Sequence, residues 1–189
     1  MGVMKKRRRL VHITTVPESL GFVEGQIGFM RENGFDVAVI TSPGEKLNAF
    51  VARTGVDAFE IPMQRAITPR ADQKSLIQLI DLLLDLDPHI VHAHTPKGGL
   101  LGMIAAKAAW VPVRVYHMRG LLTFTAKGPR KHLFKMAERT SCALATHVIA
   151  QSHSLRNVAI EERLVDEKKI SVLLGGSNGV DATGRFDPS

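Results

Sequence analysis

The chain has 189 residues, 44% of them hydrophobic, and a formal net charge of +7, which suits one ordinary domain with room for a sizeable core. Its longest apolar stretch, residues 98–113, carries Lys107 and lies between Pro96 and Pro112, so it is too short and broken to cross a bilayer. The single cysteine, Cys142, excludes an internal disulfide and fits a reducing cytoplasm.

The chain opens on a basic arm, residues 1–9, with Lys5, Lys6, Arg7, Arg8 and Arg9. Such an arm binds nucleic acid or anionic lipid, or simply keeps the edge of a first strand soluble. One Trp, one Tyr and no interleaving of aromatic with basic residues argue against nucleic acid. The short run that follows, LVHITTV, is not a signal-peptide core.

That run, residues 10–16, predicts a first strand. Val23, Ile27 and Met30 recur at helical spacing over residues 22–32, and Asn33-Gly34 supplies a stop. Residues 35–41 predict a second strand, 45–54 a short helix ended by Gly55, and 57–62 a third strand. An irregular basic loop, 63–73, precedes a strongly amphipathic helix at 74–86, closed by Asp87-Pro88. A fourth strand at 89–95 leads to an almost wholly apolar, hence buried, helix at 98–109. A fifth strand at 113–119 and a glycine-bearing loop precede a helix at 130–145. A sixth strand at 147–152, a helix at 154–164 and a seventh strand at 170–174 complete the pattern. Short, β-branched, continuous strands separated by helices indicate a parallel sheet buried on both faces. The expected fold is therefore α/β: a Rossmann-like, doubly wound sheet of about seven strands over residues 10–175.

Ligands of such sheets bind at the carboxyl ends of the strands. After the first strand, Gly21 would let a ligand approach the backbone near a helix N-terminus. Neither a dinucleotide fingerprint nor a Gly-Lys-Ser/Thr phosphate loop is present. After the fourth strand, His92 and His94 share a face, and Thr95, Lys97 and the amides of Gly98 and Gly99 offer donors to an anionic or hydroxyl-rich ligand. The His-x-His pair lacks a third ligand nearby in sequence, so no metal is expected. A buried histidine bonded to backbone is the plainer reading, and it suits His92 better than His94, which is expected at the strand's mouth. Arg119, at the end of the fifth strand, is placed to clamp a phosphate, with a surface salt bridge as the plainer alternative. Ser152 or Ser154 is expected to cap the following helix. No Gly-x-Ser-x-Gly elbow occurs, which argues against a hydrolase. Lys131, Lys135 and Arg139 recur every fourth residue opposite Leu133, Met136, Ala137 and Leu144, with Glu138 interrupting the charge only slightly. That stripe is either a lipid-facing surface or a solvated helix face.

Taken in order, these motifs resemble the N-terminal domain of family-4 glycosyltransferases, retaining enzymes of two facing Rossmann-like domains (the GT-B fold). The resemblance runs through the loop bearing Gly21, the segment Asp87-Pro-His-Ile-Val-His-Ala-His-Thr-Pro-Lys-Gly-Gly, Tyr116-His-Met-Arg-Gly-Leu, Glu138-Arg139 and Ala150-Gln-Ser-His-Ser-Leu. Its most specific part is the linker-like Asn178-Gly179-Val180-Asp181 with Phe186-Asp187-Pro188, in residues 176–189. The resemblance implies one half of a GT-B enzyme whose donor-binding domain lies outside this sequence, so that the chain alone would turn over nothing. It implies transfer from a nucleotide sugar to a saccharide or polyprenyl-linked acceptor in polysaccharide biosynthesis. It also implies no cofactor and no metal, in a cytoplasmic enzyme at the inner face of the membrane. Residue by residue, it implicates His94, Arg119 and His117 in catalysis, and Gly21, Thr95, Lys97, Gly98 and Ser152 in substrate binding. Two departures stand out: Gly21 is single where many members have a double glycine, and Arg119 takes the place of a histidine. His117 shares Arg119's face, so either is expected to point into the cleft.

Two rivals remain. A UDP-sugar 2-epimerase half would need acid and base carboxylates at strand ends, for which Glu18 and Glu24 are the only candidates in the first loop and helix. A stand-alone binding module of receiver type would need an acidic cluster after the first strand, where Thr14-Thr15 stands instead.

Overall fold

A computed structural model describes residues 8–173. Seven strands, β1 (Arg8–Ile13), β2 (Phe35–Thr41), β3 (Asp57–Glu60), β4 (Ile90–His94), β5 (Val113–Met118), β6 (His147–Ala150) and β7 (Ile170–Val172), form one sheet in the order β3-β2-β1-β4-β5-β6-β7. Every neighbouring pair is parallel. The connections carry α1 (Glu24–Glu32), α2 (Glu45–Thr54), α3 (Pro69–Leu86), α4 (Pro96–Ala108), α5 (Pro129–Leu144) and α6 (His153–Glu161). The linker-like residues 176–189 and positions 1–7 of the basic arm lie outside the described residues.

The prolines explain where the element boundaries depart from expectation. Helices expected at 74, 98 and 130 begin instead at Pro69, Pro96 and Pro129. Proline is at ease in a first helical turn, where its missing N–H has no partner to lose. Pro17 opens a short 3-10 helix, Pro17–Phe22, that splits the first crossover from α1 and ends the first strand at Ile13 rather than residue 16. The basic arm is also shorter than expected, because Arg8 and Arg9 belong to β1. Arg9 Nε pairs with Asp36 at 2.6 Å and its Nη1 donates to the Leu86 carbonyl. Gly55 closes α2 in the left-handed conformation, and Asp87, at φ 44°, closes α3 before Pro88.

The sheet is buried between two apolar layers. One face presents Val11, Ile13, Ile40, Val91, Tyr116 and Val148 to side chains of α3, α4, α5 and α6. The other presents Leu10, Val37 and Val39 to Leu20, Ile27, Leu47 and Phe50. Each such fully buried aliphatic side chain contributes about 1.5–3 kcal/mol. Glycines let helix α4 rest directly on the strand side chains: a Cβ at Gly102 would sit 3.0 Å from Ala93 Cβ, and one at Gly99 would collide with the Tyr116 ring. The strand order reverses direction between β1 and β4, so a crevice opens above their carboxyl ends.

Candidate functional site

The crevice is stitched together by two threonines. Thr15 Oγ1, just past β1, lies 2.7 Å from Thr95 Oγ1, just past β4. The Gly98 amide donates to Thr15 Oγ1 at 2.9 Å, and the Gly99 amide to the Thr95 carbonyl at 2.7 Å. Thr95 holds φ at 68°, a left-handed conformation rare for a β-branched residue. A Cβ at Gly98 would meet Thr95 Oγ1 at 2.9 Å and the Thr15 backbone nitrogen at 3.0 Å, so the loops close only around glycine. This corrects the expectation of free donors. The hydrogen bonds of Thr95, Gly98 and Gly99 are spent on fixing the β1 loop to the first turn of α4.

Lys97 is also already engaged. Its Nζ lies 2.7 Å from Asp72 Oδ1 and donates to the Ala66 carbonyl. Burial pushes the Asp72 carboxyl up, but hydrogen bonds from Lys97 and Thr68 outweigh it and hold the group below its ordinary value. A cleft of about 380 Å³ opens beside this pair. Thr15, Thr95 and Lys97 form its polar end, and Leu101, Leu122, Leu133 and Phe134 supply an apolar wall.

Under the crevice lies a block of four imidazoles. The register sets His12 beside His92 and His94 beside His117. All four share the sheet face of Leu10 and Val39, and none is more than 5% exposed. His92 and His117 stack with centroids 5.4 Å apart at 3°. His12 Nδ1 lies 3.1 Å from His94 Nε2, and Arg119 Nη2 lies 3.4 Å from His94 Nδ1. The Arg119 guanidinium sits over the Phe22 ring, 4.7 Å from its centroid. Burial and then the Arg119 charge hold His12 and His117 down at about 3. Burial, with the neighbouring imidazoles and Arg119, carries His92 and His94 well below the ordinary histidine value. Arg119 itself is lowered to about 10 by burial. Among the described residues, His12 Nε2, His92 Nε2 and both His117 nitrogens are buried with no hydrogen-bond partner.

These positions correct two sequence expectations. His94 ends β4 but is wholly enclosed rather than open at a mouth, and His117 is enclosed with it. Alternation points both, like Arg119, at the face that the segment after β1 covers; Arg119, over the Phe22 ring, is the one of the three that lines a hollow. His92 is buried, as the plainer reading had it. His12 was missed; its only signal is a lone polar residue inside a β-branched strand.

Arg119 and Ser152 line a separate hollow of about 470 Å³ at the start of α6. Ser152 caps that helix, accepting from the Leu155 amide at 3.2 Å. Gly21 is exposed in the Pro17–Phe22 turn, and a Cβ there would meet nothing within 4 Å. The expected site thus divides into an apolar cleft, a second hollow and the imidazole block.

Helix α5 differs most from its reading. Glu138 is buried and accepts from the Tyr116 hydroxyl at 2.8 Å, and burial raises its carboxyl to about 7 against the pull of that bond. Leu133 and Met136, expected on the covered side, are 48% and 66% exposed. The buried residues of α5 are Glu138, Ser141 and Cys142, so only its second half lies under neighbours. Lys131 is exposed, Lys135 pairs with Glu162 at 2.5 Å, and Arg139 donates to the Arg163 carbonyl at 3.1 Å.

Comparison with known proteins bears on this geometry. Residues 22–176 match the model of the Glycosyl transferase 4-like domain. The chain is 38% identical over 176 residues to the capsular polysaccharide biosynthesis glycosyltransferase CapM of Staphylococcus aureus, covering 93% of this chain and 46% of that protein. It is 35% identical over 157 residues to the Escherichia coli UDP-Gal:alpha-D-GlcNAc-diphosphoundecaprenol alpha-1,3-galactosyltransferase, covering 82% and 39%. The chain therefore spans less than half the length of the curated relatives it matches. Among solved structures, a UDP-N-acetylglucosamine 2-epimerase superposes with a TM-score of 0.70 at 15% identity, covering 88% of this chain and 48% of that one. At that identity the likeness establishes the shared fold, not the epimerase rival. By the family match along most of its length, this chain belongs to the glycosyl transferase 4-like domain family.

Proposed function

We propose that this chain is the acceptor-side half of an enzyme that moves a sugar from a nucleotide-diphosphate donor to a saccharide on a polyprenyl carrier, in polysaccharide biosynthesis. One observation carries the reading: a strand-end cleft whose polar end, at Thr15, Thr95 and Lys97, continues into an apolar wall at Leu101, Leu122, Leu133 and Phe134. A sugar needs cationic and acceptor partners, which Arg65 and Asp72 in the same cleft lining can offer; a prenyl chain needs an apolar wall. The names of the relatives, one acting on a diphosphoundecaprenol-linked sugar, support the same class.

In the reaction, the bond between the anomeric carbon and the phosphate oxygen breaks. The nucleoside diphosphate leaves with the electron pair, and the acceptor hydroxyl forms the new bond to the anomeric carbon and gives up its proton to the departing diphosphate oxygen. Arg119, half-enclosed beside the α6 N-terminus, is the cation placed to meet the departing diphosphate, with the amides of that helix across the hollow. Lys97 orders the cleft through Asp72. Phe124, Lys131 and Met136 are all exposed between the loop after β5 and the first half of α5, so this end of the molecule is read as resting on an anionic membrane.

The test uses the whole protein with a panel of nucleotide sugars and a diphosphoprenol-linked saccharide in micelles, and follows label into the lipid product. Transfer whose kcat/KM falls at least about a hundredfold in Arg119→Ala, to a residual rate that can still be measured, supports the reading. Epimerised nucleotide sugar without transfer, or transfer to free saccharides with the lipid-linked acceptor refused, overturns it.

A further inference from the structure

The imidazole block holds one contact that decides the protonation of the next. Arginine carries only N–H donors, so where Arg119 Nη2 meets His94 Nδ1, at 3.4 Å, the imidazole nitrogen accepts. A neutral imidazole has one N–H, which for His94 is then on Nε2. That nitrogen faces His12 Nδ1 at 3.1 Å, so His12 accepts and carries its own proton on Nε2.

We propose that His12 and His94 are positioning residues for Arg119: a directed chain of two neutral imidazoles that holds the guanidinium at the carboxyl end of β5, over the Phe22 ring. A free arginine side chain must give up its rotamer freedom on binding, and a fixed acceptor settles much of that before the ligand arrives. The claim rests on the reading that Arg119 meets the departing diphosphate.

The main competitor is a metal ion. His12, His92 and His94 offer ligand atoms within 4.8 Å of one another, so the third ligand missing from the His-x-His motif is supplied by β1. The grouping includes no carboxylate, and a guanidinium stands beside it. A His94 bound to a cation through Nε2 would carry its proton on Nδ1 and point it at an Arg119 N–H, setting two donors face to face. A divalent charge would be added next to a cation in a buried setting. The geometry therefore favours the neutral chain.

The test is a double-mutant cycle on the whole protein. His12→Phe removes the terminal acceptor and is expected to lower kcat/KM by up to about tenfold, the worth of one buried hydrogen bond. Added to Arg119→Ala, it is expected to cost nothing more, because its effect travels through Arg119. His12→Asn, whose amide oxygen can take the place of Nδ1, should restore most of the loss. Losses that multiply in the double variant would mean a structural role and overturn the proposal. A second readout is independent of turnover. In the whole protein labelled with 15N-histidine, His94 should show an unprotonated Nδ1 and a protonated Nε2, and Arg119→Ala should release that preference. The opposite tautomer, or stoichiometric metal in elemental analysis, overturns the chain. If Arg119→Ala turns over normally, the functional reading fails, and the tautomer measurement still decides the chain.

Discussion

The Tyr116 hydroxyl donates to the Glu138 carboxyl across 2.8 Å inside the layer between the sheet and α5, and both groups are almost wholly buried. A carboxyl raised from 4.5 to about 7 in the folded state binds its proton more tightly there than in the unfolded chain. Between those two values the native state holds the extra proton, so stability falls as pH rises through the window. The penalty above pH 7 is on the order of 3 kcal/mol. Glu138→Gln keeps an oxygen for Tyr116 and removes the charge. It should melt several degrees above the parent at pH 8 and converge on it near pH 5, in thermal melts followed by circular dichroism.

The four buried histidines act in the opposite direction. His12 and His117 are held at about 3 against an ordinary 6.5, so the unfolded chain binds the extra protons as pH falls. Stability present above pH 6.5 is lost on acidification, by about 1.4 kcal/mol per pH unit for each histidine involved. Denaturant midpoints between pH 7 and 5 should fall steeply, and His117→Phe should flatten the slope. An unchanged slope in that variant would mean that His117 already titrates normally.

Gly98 and Gly21 separate packing from ligand approach. Gly98→Ala drives a Cβ against Thr95 Oγ1 and the Thr15 backbone, and should cost about 1–3 kcal/mol. Gly21→Ala meets open space and should stay within about 0.5 kcal/mol of the parent. If Gly21→Ala keeps its stability but loses transfer activity, a ligand comes close to that backbone. If both measures are unchanged, Gly21 has no part in binding.

The exposed first half of α5 predicts membrane binding that depends on charge and on apolar contact together. Co-sedimentation with vesicles containing phosphatidylglycerol should exceed that with phosphatidylcholine alone and weaken with salt. Lys131→Glu should reverse an attraction of about 1 kcal/mol per basic residue. Met136→Ser should weaken binding without changing the salt dependence. Equal binding to neutral and anionic vesicles would remove the electrostatic part of this account.

Much of the fold is legible in the chain because it is local. Alternating β-branched runs and apolar helical periods place all seven strands, and β2 and α2 fall at their expected limits. The starts of α3, α4 and α5 shift by one to five residues because a proline in the first turn reads as a breaker until a helix is seen to accept it. Of the site, Ser152 as a cap is legible from its position before an apolar period. The engagement of Lys97 by Asp72 is not, since its partner is 25 residues away in another element.

By itself, the sequence determined the class: a doubly wound parallel sheet, and membership of a glycosyltransferase family through motifs that run along one strand or one loop. The tertiary structure alone decided which side chains meet. Two-residue alternation says that His92 and His94 share a face, but only the pairing of β1 with β4 brings His12 to them. Helical periodicity puts Lys131 and Glu138, seven residues apart, on the same side of α5, but only packing shows that the first half of that helix is uncovered and the second half is not. Patterning encodes the direction of a side chain relative to its own backbone. Burial and partnership depend on what a distant segment places against it.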